Sequence, residues 1–424
     1  MIYNIVIYFV LWGIAIASLF NEKVRKMWHG EREAFKILKQ KVDPTAKYIW
    51  FHAASLGEFE QGRPLMERIR KEYPQYKILL TFYSPSGYEV RKNYEGADII
   101  CYMPVDTRLN AIRFLRLVRP VMAFFIKYEF WSNFLHILKH RNIPTYSVSS
   151  IFREDQVFFK WYGRSYAGVL KCFTRFFVQN EESKRLLESI GITDVDVVGD
   201  TRFDRVLQIK QAAKHLSICE AFRSGVAGSD SAASSEKASH PDYKVFVAGS
   251  SWPPDEEIFI RFFNEHKDWR LLIAPHVIAE EHLKLILSLL KNKKVVRYTQ
   301  TTPEEAAKAD VLIIDCFGLL SSMYNYGDVA YIGGGFGVGI HNTLEAAVWN
   351  MPVIFGPNNK KFQEAQGLLN SGGGFEINTY EDFSGLMSSL MNDETFLKQA
   401  GDKAGAFVAH LAGATDKVLA SVKL

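Results

Sequence analysis

From residue 48 onward, short runs of β-branched and aromatic residues alternate with longer stretches whose apolar positions recur every three or four residues. Alternation of this kind marks βα units and a parallel sheet. In the first half the runs YIWFHA, KILLTFY, DIICYMP, VMAFFIK, PTYSVSS, FTRFFVQ and VDVVGD predict strands. In the second half YKVFVAGS, WRLLIAPH, KKVVRYT, DVLIID, DVAYIGGG, MPVIFGP and GFEIN do the same. The pattern therefore predicts an α/β chain with two similar sheets. Between them, residues 223–242 are rich in Ser, Ala and Gly and nearly free of large apolar groups, so they read as a flexible loop near the domain junction. The expected division is 21–222 for the first domain and 243–424 for the second, whose stretch from about residue 380 is helical in pattern and able to pack back across the junction.

The N-terminus departs from this alternation. Residues 1–20, MIYNIVIYFVLWGIAIASLF, contain no charged side chain. That length suits a bilayer core of about 30 Å and predicts a membrane-anchor helix over 1–20. Lys23, Arg25 and Lys26 follow at once, which places the remainder in the cytoplasm by the positive-inside rule. A cleaved signal peptide fits less well because no basic segment precedes the apolar run. Residues 21–41 carry Lys23, Arg25, Lys26, Arg32, Lys36, Lys39 and Lys41 against Glu22, Glu31 and Glu33. Such a surplus either attracts anionic headgroups or is a solvated helix face beside the anchor.

Composition narrows the class further. A chain of 424 residues implies two domains. With 51 Lys+Arg against 47 Asp+Glu, the balance argues against a dedicated nucleic-acid binder. Cys101, Cys172, Cys219 and Cys316 lie far apart without a CxxC pair, which excludes a disulfide framework and a zinc site of the usual spacing.

Candidate chemistry gathers where strands end. HAASLGEFEQG, residues 52–62, runs from a strand through small residues into a helix, and puts Glu58 near its start. The helix dipole there favours the ionised carboxylate, as a general base requires. Glu60 is a nearby competitor, and a first-turn Glu that only complements the dipole is the plainer alternative. IKYEFWSN adds Lys127 and Glu129, and GDTRFD adds Arg202. A lysine and an arginine at such ends can stabilise a departing phosphate without a metal, or can be held in ion pairs with Glu129 or Asp204. The densest signal is YIGGGFGVGIHNTLEAAVWNMPVIFGP, residues 331–357. Its glycine-rich loop and following helix favour a phosphate, and Glu345 suits ribose hydroxyls; a merely flexible loop is the alternative. The spacing is neither G-x-G-x-x-G nor a Walker A. GSSW, APH and DCFGLL end neighbouring strands and would converge near the same loop.

HAASLGE, YEFW, QNEES, GDTRFD, APH and GGGFGVGIHNTLEAA, in this order, resemble the bacterial 3-deoxy-D-manno-octulosonic acid (Kdo) transferases of the lipopolysaccharide inner membrane, over nearly the whole chain. The resemblance implies a GT-B fold, in which two Rossmann-like domains face a cleft, and inverting transfer from CMP-Kdo to a lipid A precursor, with no metal or other cofactor. It implies that Glu58 is the general base and that Arg202 assists the transition state. It also implies that CMP is held by Pro275, His276, Phe317, Gly318, Leu319, Asn342, Thr343, Leu344 and Glu345. Lys127 stands where many relatives carry an acidic residue, and DCFGLL lacks their Gly-Glu pair, so contact there falls to the backbone. Another GT-B enzyme using a UDP-sugar, or a catalytically silent membrane-tethered binding module, are the competing readings.

Overall fold

The computed structural model describes residues 2–226 and 243–424. The chain forms two compact units, Met1–Arg205 with Ala412–Leu424, and Val206–Leu411. In the first, seven strands are β1 (Lys47–Ala53), β2 (Tyr76–Phe82), β3 (Ile99–Tyr102), β4 (Met122–Ile126), β5 (Thr145–Ser150), β6 (Arg175–Val178) and β7 (Val195–Val197). They pair in parallel in the order β3-β2-β1-β4-β5-β6-β7. The second unit has β8 (Lys244–Ser251), β9 (Trp269–Pro275), β10 (Val295–Arg297), β11 (Val311–Ile313), β12 (Val329–Ile332), β13 (Val353–Phe355) and β14 (Gly374–Glu376). These too are parallel, in the order β10-β11-β9-β8-β12-β13-β14. The fourteen runs named above are thus the fourteen strands among the described residues.

Both faces of each sheet are covered, which is why the strands read as continuous apolar runs. In β1, Ile49, Phe51 and Ala53 enter one core cluster, with Phe59, Ile69 and Phe124, while Tyr48 and Trp50 enter another, with Phe114, Phe125 and Phe134. The indole N–H of Trp50 is satisfied by Thr81 Oγ1 at 2.8 Å. In the second unit Phe246 and Ala248 of β8 pack with Phe259, Phe263, Tyr331 and Phe383.

The division between units comes earlier than the expected 223–242. Residues Ser217–Ser224 are a helix with Cys219, Ala221 and Phe222 buried, and Arg223 donates to Asp328 at 3.1 Å, so this segment is part of the second unit. A lack of large apolar side chains marks where no core forms, and that need not be where the chain passes between sheets. Residues 227–242 lie outside the described residues. The C-terminal helix Ala414–Ser421 returns to the first unit, where Ala414, Val418 and Val422 join its core. Asp204 secures the return by accepting from Gly413 N at 2.5 Å and Thr415 N at 2.7 Å.

The predicted anchor is corrected. Helix α1 covers Ile2–Ala17, 16 residues, or about 24 Å against a bilayer core of about 30 Å. A turn follows, and Asn21 caps helix α2 (Glu22–Lys41) by accepting from Lys23 N at 2.9 Å. Among the described residues, no helix is long and apolar enough to cross a membrane. One side of α1 is tied to the first unit: Tyr3 donates to Asp106 at 2.6 Å, Asn133 donates to Asn4 at 2.8 Å, and Ile7 is buried. Its other side exposes Phe9 and Trp12, at 72% and 70%.

Candidate active site

In an open parallel sheet the loops diverge where the strand order reverses, and ligands collect at the carboxyl ends of the strands there. The first unit reverses between β1 and β4, the second between β8 and β12. Glu58 and Lys127 follow β1 and β4 at the first of these points and the glycine loop follows β12 at the second, whereas Arg202 follows the edge strand β7, His276 follows β9 and Phe317 follows β11.

At the end of β1 the chain turns through Ala54 and Ser55 into helix α3 (Leu56–Glu72), which places Glu58 in its first turn, with the Ser55 hydroxyl donating to its carboxylate. Two residues on, Glu60 faces three guanidinium groups: Arg91 at 2.7 Å, Arg205 at 2.9 Å and Arg63 at 3.8 Å. The competing carboxylate is therefore committed to a structural ion network, while Glu58 is not. Arg202 is brought beside α3 by the loop after β7. Its Nε donates to Asp200 Oδ2 at 2.8 Å, Gln61 of α3 donates to Asp200 Oδ1 at 3.0 Å, and Thr201 Oγ1 donates to the Gln61 carbonyl at 2.6 Å. Burial alone would push the Asp200 carboxyl up, but the charge and hydrogen bonds of Arg202 outweigh it and hold it below its ordinary value.

Lys127 ends β4 with φ +61°, a left-handed conformation unfavourable for a lysine and fixed by its N–H donating to Val148 O at 2.9 Å and its carbonyl accepting from Ser150 Oγ at 3.1 Å. Glu129, named above as an alternative partner for the lysine or arginine, meets other groups. Its carboxylate lies 3.1 Å from His52 Nε2 and accepts from the Trp131 indole at 2.6 Å. His52 is fully buried on β1, its Nδ1 2.9 Å from Thr81 Oγ1. No role was expected of His52; a lone histidine within the buried run of β1 was the signal available. Sequence reasoning read α2 as a charged face, whereas Glu31 is 4% exposed, has neither oxygen partnered, and is pushed up to about 8 by burial.

In the second unit the loop after β12 is a compact turn. The N–H groups of Gly333, Gly334, Gly337 and Gly339 donate to Gly249 O, Asp255 Oδ2 and, for the last two, Gly334 O. The glycines are needed for close approach: a Cβ on Gly333 would lie 2.2 Å from Ser250 O, and Gly334 has φ +94°. The following helix, Leu344–Ala347, has four residues. Of the loop's N–H groups these four are turned inward, and the helix that follows is a single short turn. A cavity of about 150 Å³ is lined by Ser250, Tyr324, His341, Asn342 and Glu345, among others. Asn342 donates to Glu345 Oε1 at 3.0 Å and accepts from Leu344 N at 3.1 Å. Thr343 and Leu344 are buried beneath them.

Pro275 ends β9, and the ring of His276 stacks on His341 at 4.4 Å, which joins the β9 end to the same cavity. The loop after β11 contributes Leu320 to the lining, whereas Phe317 points outward at 82% exposure and Gly318 turns the chain with φ +86°. The structure thus brings together His276 with Asn342 and Glu345, and leaves the Phe317 side chain in solvent.

The helix beginning at Pro253 was missed as part of the site. Asp255 accepts from Trp252 N, Gly334 N and Tyr331 OH, all within 2.9 Å. Glu256 accepts from Ser251 Oγ at 2.7 Å and lies 2.9 Å from His282 Nε2. Burial raises both carboxyls, and these hydrogen bonds oppose it. The run of three acids after WPP, Asp255 to Glu257, was the available signal. Among the described residues, no group of three or more His, Cys, Asp or Glu is placed to hold a metal ion.

Comparison with known proteins bears on family and fold. Residues 29–205 match the family described as 3-deoxy-D-manno-octulosonic-acid transferase (kdotransferase). The Rickettsia typhi protein named 3-deoxy-D-manno-octulosonic acid transferase is 25% identical over 389 residues, covering 88% of this chain and 79% of the relative. The Haemophilus influenzae protein of the same name is 25% identical, covering 90% and 87%. Among solved structures, a UDP-GlcNAc 2-epimerase from Neisseria meningitidis superposes with a TM-score of 0.59 at 14% identity, covering 88% of this chain and 99% of that one. Acinetobacter baumannii MurG gives 0.52 at 12%, covering 89% and 99%. These two show the fold, a pair of Rossmann-like domains of the GT-B kind. Residues 29–205 thus carry the Kdo transferase family domain, and the similarity to glycosyltransferases of that name runs through most of both units at about 25% identity.

Proposed function

We propose that this protein transfers Kdo from CMP-Kdo to the 6′-hydroxyl of a lipid A precursor, lipid IVA, with inversion and without a metal. Glu58 takes the proton of the acceptor hydroxyl as its oxygen attacks the anomeric carbon in line; the bond from that carbon to the phosphate oxygen breaks, and CMP leaves with the electron pair. Arg202 and Lys127 offset the charge that develops on the leaving phosphate. CMP is held on the second unit by Pro275, His276, the backbone of Phe317, Gly318 and Leu319, and Asn342, Thr343, Leu344 and Glu345.

The observation that carries this reading is the unequal treatment of two carboxylates on one helix: Glu60 is bound by arginines, and Glu58, at the reversal point of the sheet, meets the Ser55 hydroxyl. The acceptor is a membrane lipid, so the site of action is the cytoplasmic face of a bacterial inner membrane. Helix α1 would lie along that surface through its exposed Phe9 and Trp12, with the basic side chains of α2 toward anionic headgroups. Release of CMP or UDP from purified protein offered CMP-Kdo and UDP-sugars with lipid IVA tests the donor. CMP release dependent on the lipid supports the proposal; release of UDP alone favours a UDP-sugar transferase, and no release from any donor favours a binding module.

A further inference from the structure

Three aromatic side chains from three different strand ends form one stack at the edge of the second unit. Trp252, after β8, lies against His276, after β9, with ring centroids 4.7 Å apart and planes 24° apart. On His276 rests His341, after β12, at 4.4 Å and again 24°. The indole N–H of Trp252 donates to His341 Nε2 at 3.2 Å. That bond closes the set, so each ring touches the other two. It also fixes a chemical state, because a nitrogen that accepts from an indole carries no proton, and His341 is then the neutral Nδ1–H tautomer.

The backbone beneath is braced in the same way. Asp255 holds Trp252 N and Gly334 N, and Glu256 links Ser251 to His282, whose Nδ1 is 2.8 Å from Val277 O, next to His276. Other titratable groups about the stack are Glu345 and Tyr324, which line the cavity with His341. Burial lowers the pKa of both histidines, and for His341 the neighbouring His276 adds to the effect.

We propose that Trp252 and His341 are positioning residues for the donor: they hold His276 in one orientation, so that its ring is presented to the nucleotide without rearrangement. The role rests on the CMP-binding reading given above. Prealigned contacts reduce the ordering cost of binding, so the stack acts on donor affinity and leaves the chemical step to the first unit.

The test uses the full chain, with ¹⁵N-histidine NMR and kinetics on Trp252→Ala, Trp252→Phe and His341→Gln; His276→Gln and His341→Gln assign the ring signals. In the wild type, His341 should show an unprotonated Nε2 at pH 7 and both rings should titrate below the ordinary histidine value; in Trp252→Ala both midpoints should rise. Loss of one hydrogen bond and one ring contact should raise KM for CMP-Kdo about tenfold with kcat within about twofold, and Trp252→Phe, which keeps a ring, should recover part of that loss. Wild-type CMP binding by calorimetry separates the two readings. If the wild type binds CMP and Trp252→Ala binds it equally well, or if His341 carries its proton on Nε2, the positioning role is wrong. If the wild type does not bind CMP at all, the donor-site reading fails and this role fails with it.

Discussion

The two strand-end edges share a topology and differ in chemistry. At the first, between β1 and β4, charge is dense and mostly committed: Glu60 to arginines, Glu129 to His52 and Trp131, Asp200 to Arg202. At the second, between β8 and β12, the groups that meet the cavity include neutral rings, and the carboxylates Asp255 and Glu256 lie buried behind them as braces. On the proposed reading, the contrast is one fold used twice. An edge that moves a proton and stabilises developing charge needs ions held in fixed partnerships. An edge that holds a nucleotide needs shape and prealigned neutral contacts.

The largest expected effect falls on the first edge. Glu58→Gln keeps the shape of the side chain but cannot accept a proton, so turnover should drop by about 10²–10⁴ while CMP affinity stays unchanged. Retention of more than about half the wild-type rate would remove Glu58 as the base. Glu60→Gln should lower stability by roughly 1.5–3 kcal/mol, through its lost arginine bonds, without such a loss of rate in the protein that remains folded.

Next in size is a pH effect specific to the first unit. Burial raises the Glu31 carboxyl to about 8 from its ordinary 4.5. Between those values the folded chain holds a proton that the unfolded chain has released, so its stabilising contribution is full at low pH and is lost as pH rises from about 4.5 to about 8. At about 1.4 kcal/mol per pKa unit the effect is on the order of a few kcal/mol. Glu31→Gln should therefore be more stable than the wild type at pH 8 and show no such advantage near pH 4.5, measured by hydrogen exchange along α2. An advantage independent of pH would contradict the assignment.

On the second edge, Glu345→Ala should weaken CMP binding by roughly 1.5–3 kcal/mol with little change in kcat, as expected for hydrogen bonds to a charged acceptor. Equal CMP affinity by calorimetry would exclude Glu345 from the ribose site. The smallest effect has the opposite sign from that of Glu31. The folded pKa values of His276 and His341 lie below 6.5, so the unfolded chain binds more protons just below that value, and stability of the second unit falls as pH drops through 6.5. Melting of wild type and His341→Gln between pH 5.5 and 7.5 measures it; a wild type that gains stability on acidification relative to the variant would contradict it.

The strands were legible because a parallel sheet covered on both faces demands runs such as YIWFH and KVFVA. Glu58 and His276 were singled out because they follow such runs, and Glu345 because it follows the glycine loop. The partnerships were not. That Glu60 meets Arg91 and Arg205, or that Trp252 meets His341, depends on side chains up to 145 residues apart, and local pattern carries no record of them. The anchor was misjudged for a different reason: apolar length was counted through Ser18 to Phe20, whereas the helix ends at Ala17 and Asn21 starts a new one. The domain boundary was misjudged because the Ser/Ala/Gly run is conspicuous in sequence, while the change of unit at Arg205/Val206 falls within a regular helix, Thr201–Gln211.

The most direct measurement is mass analysis of lipid IVA after incubation with CMP-Kdo and purified protein, run side by side with Glu58→Gln. The expected result is acceptor carrying one or more added Kdo residues with the wild type and unmodified acceptor with the variant, at equal CMP binding by both. Unmodified acceptor with a folded, CMP-binding wild type, or equal product from the variant, would contradict the assignment of base and donor to these two edges.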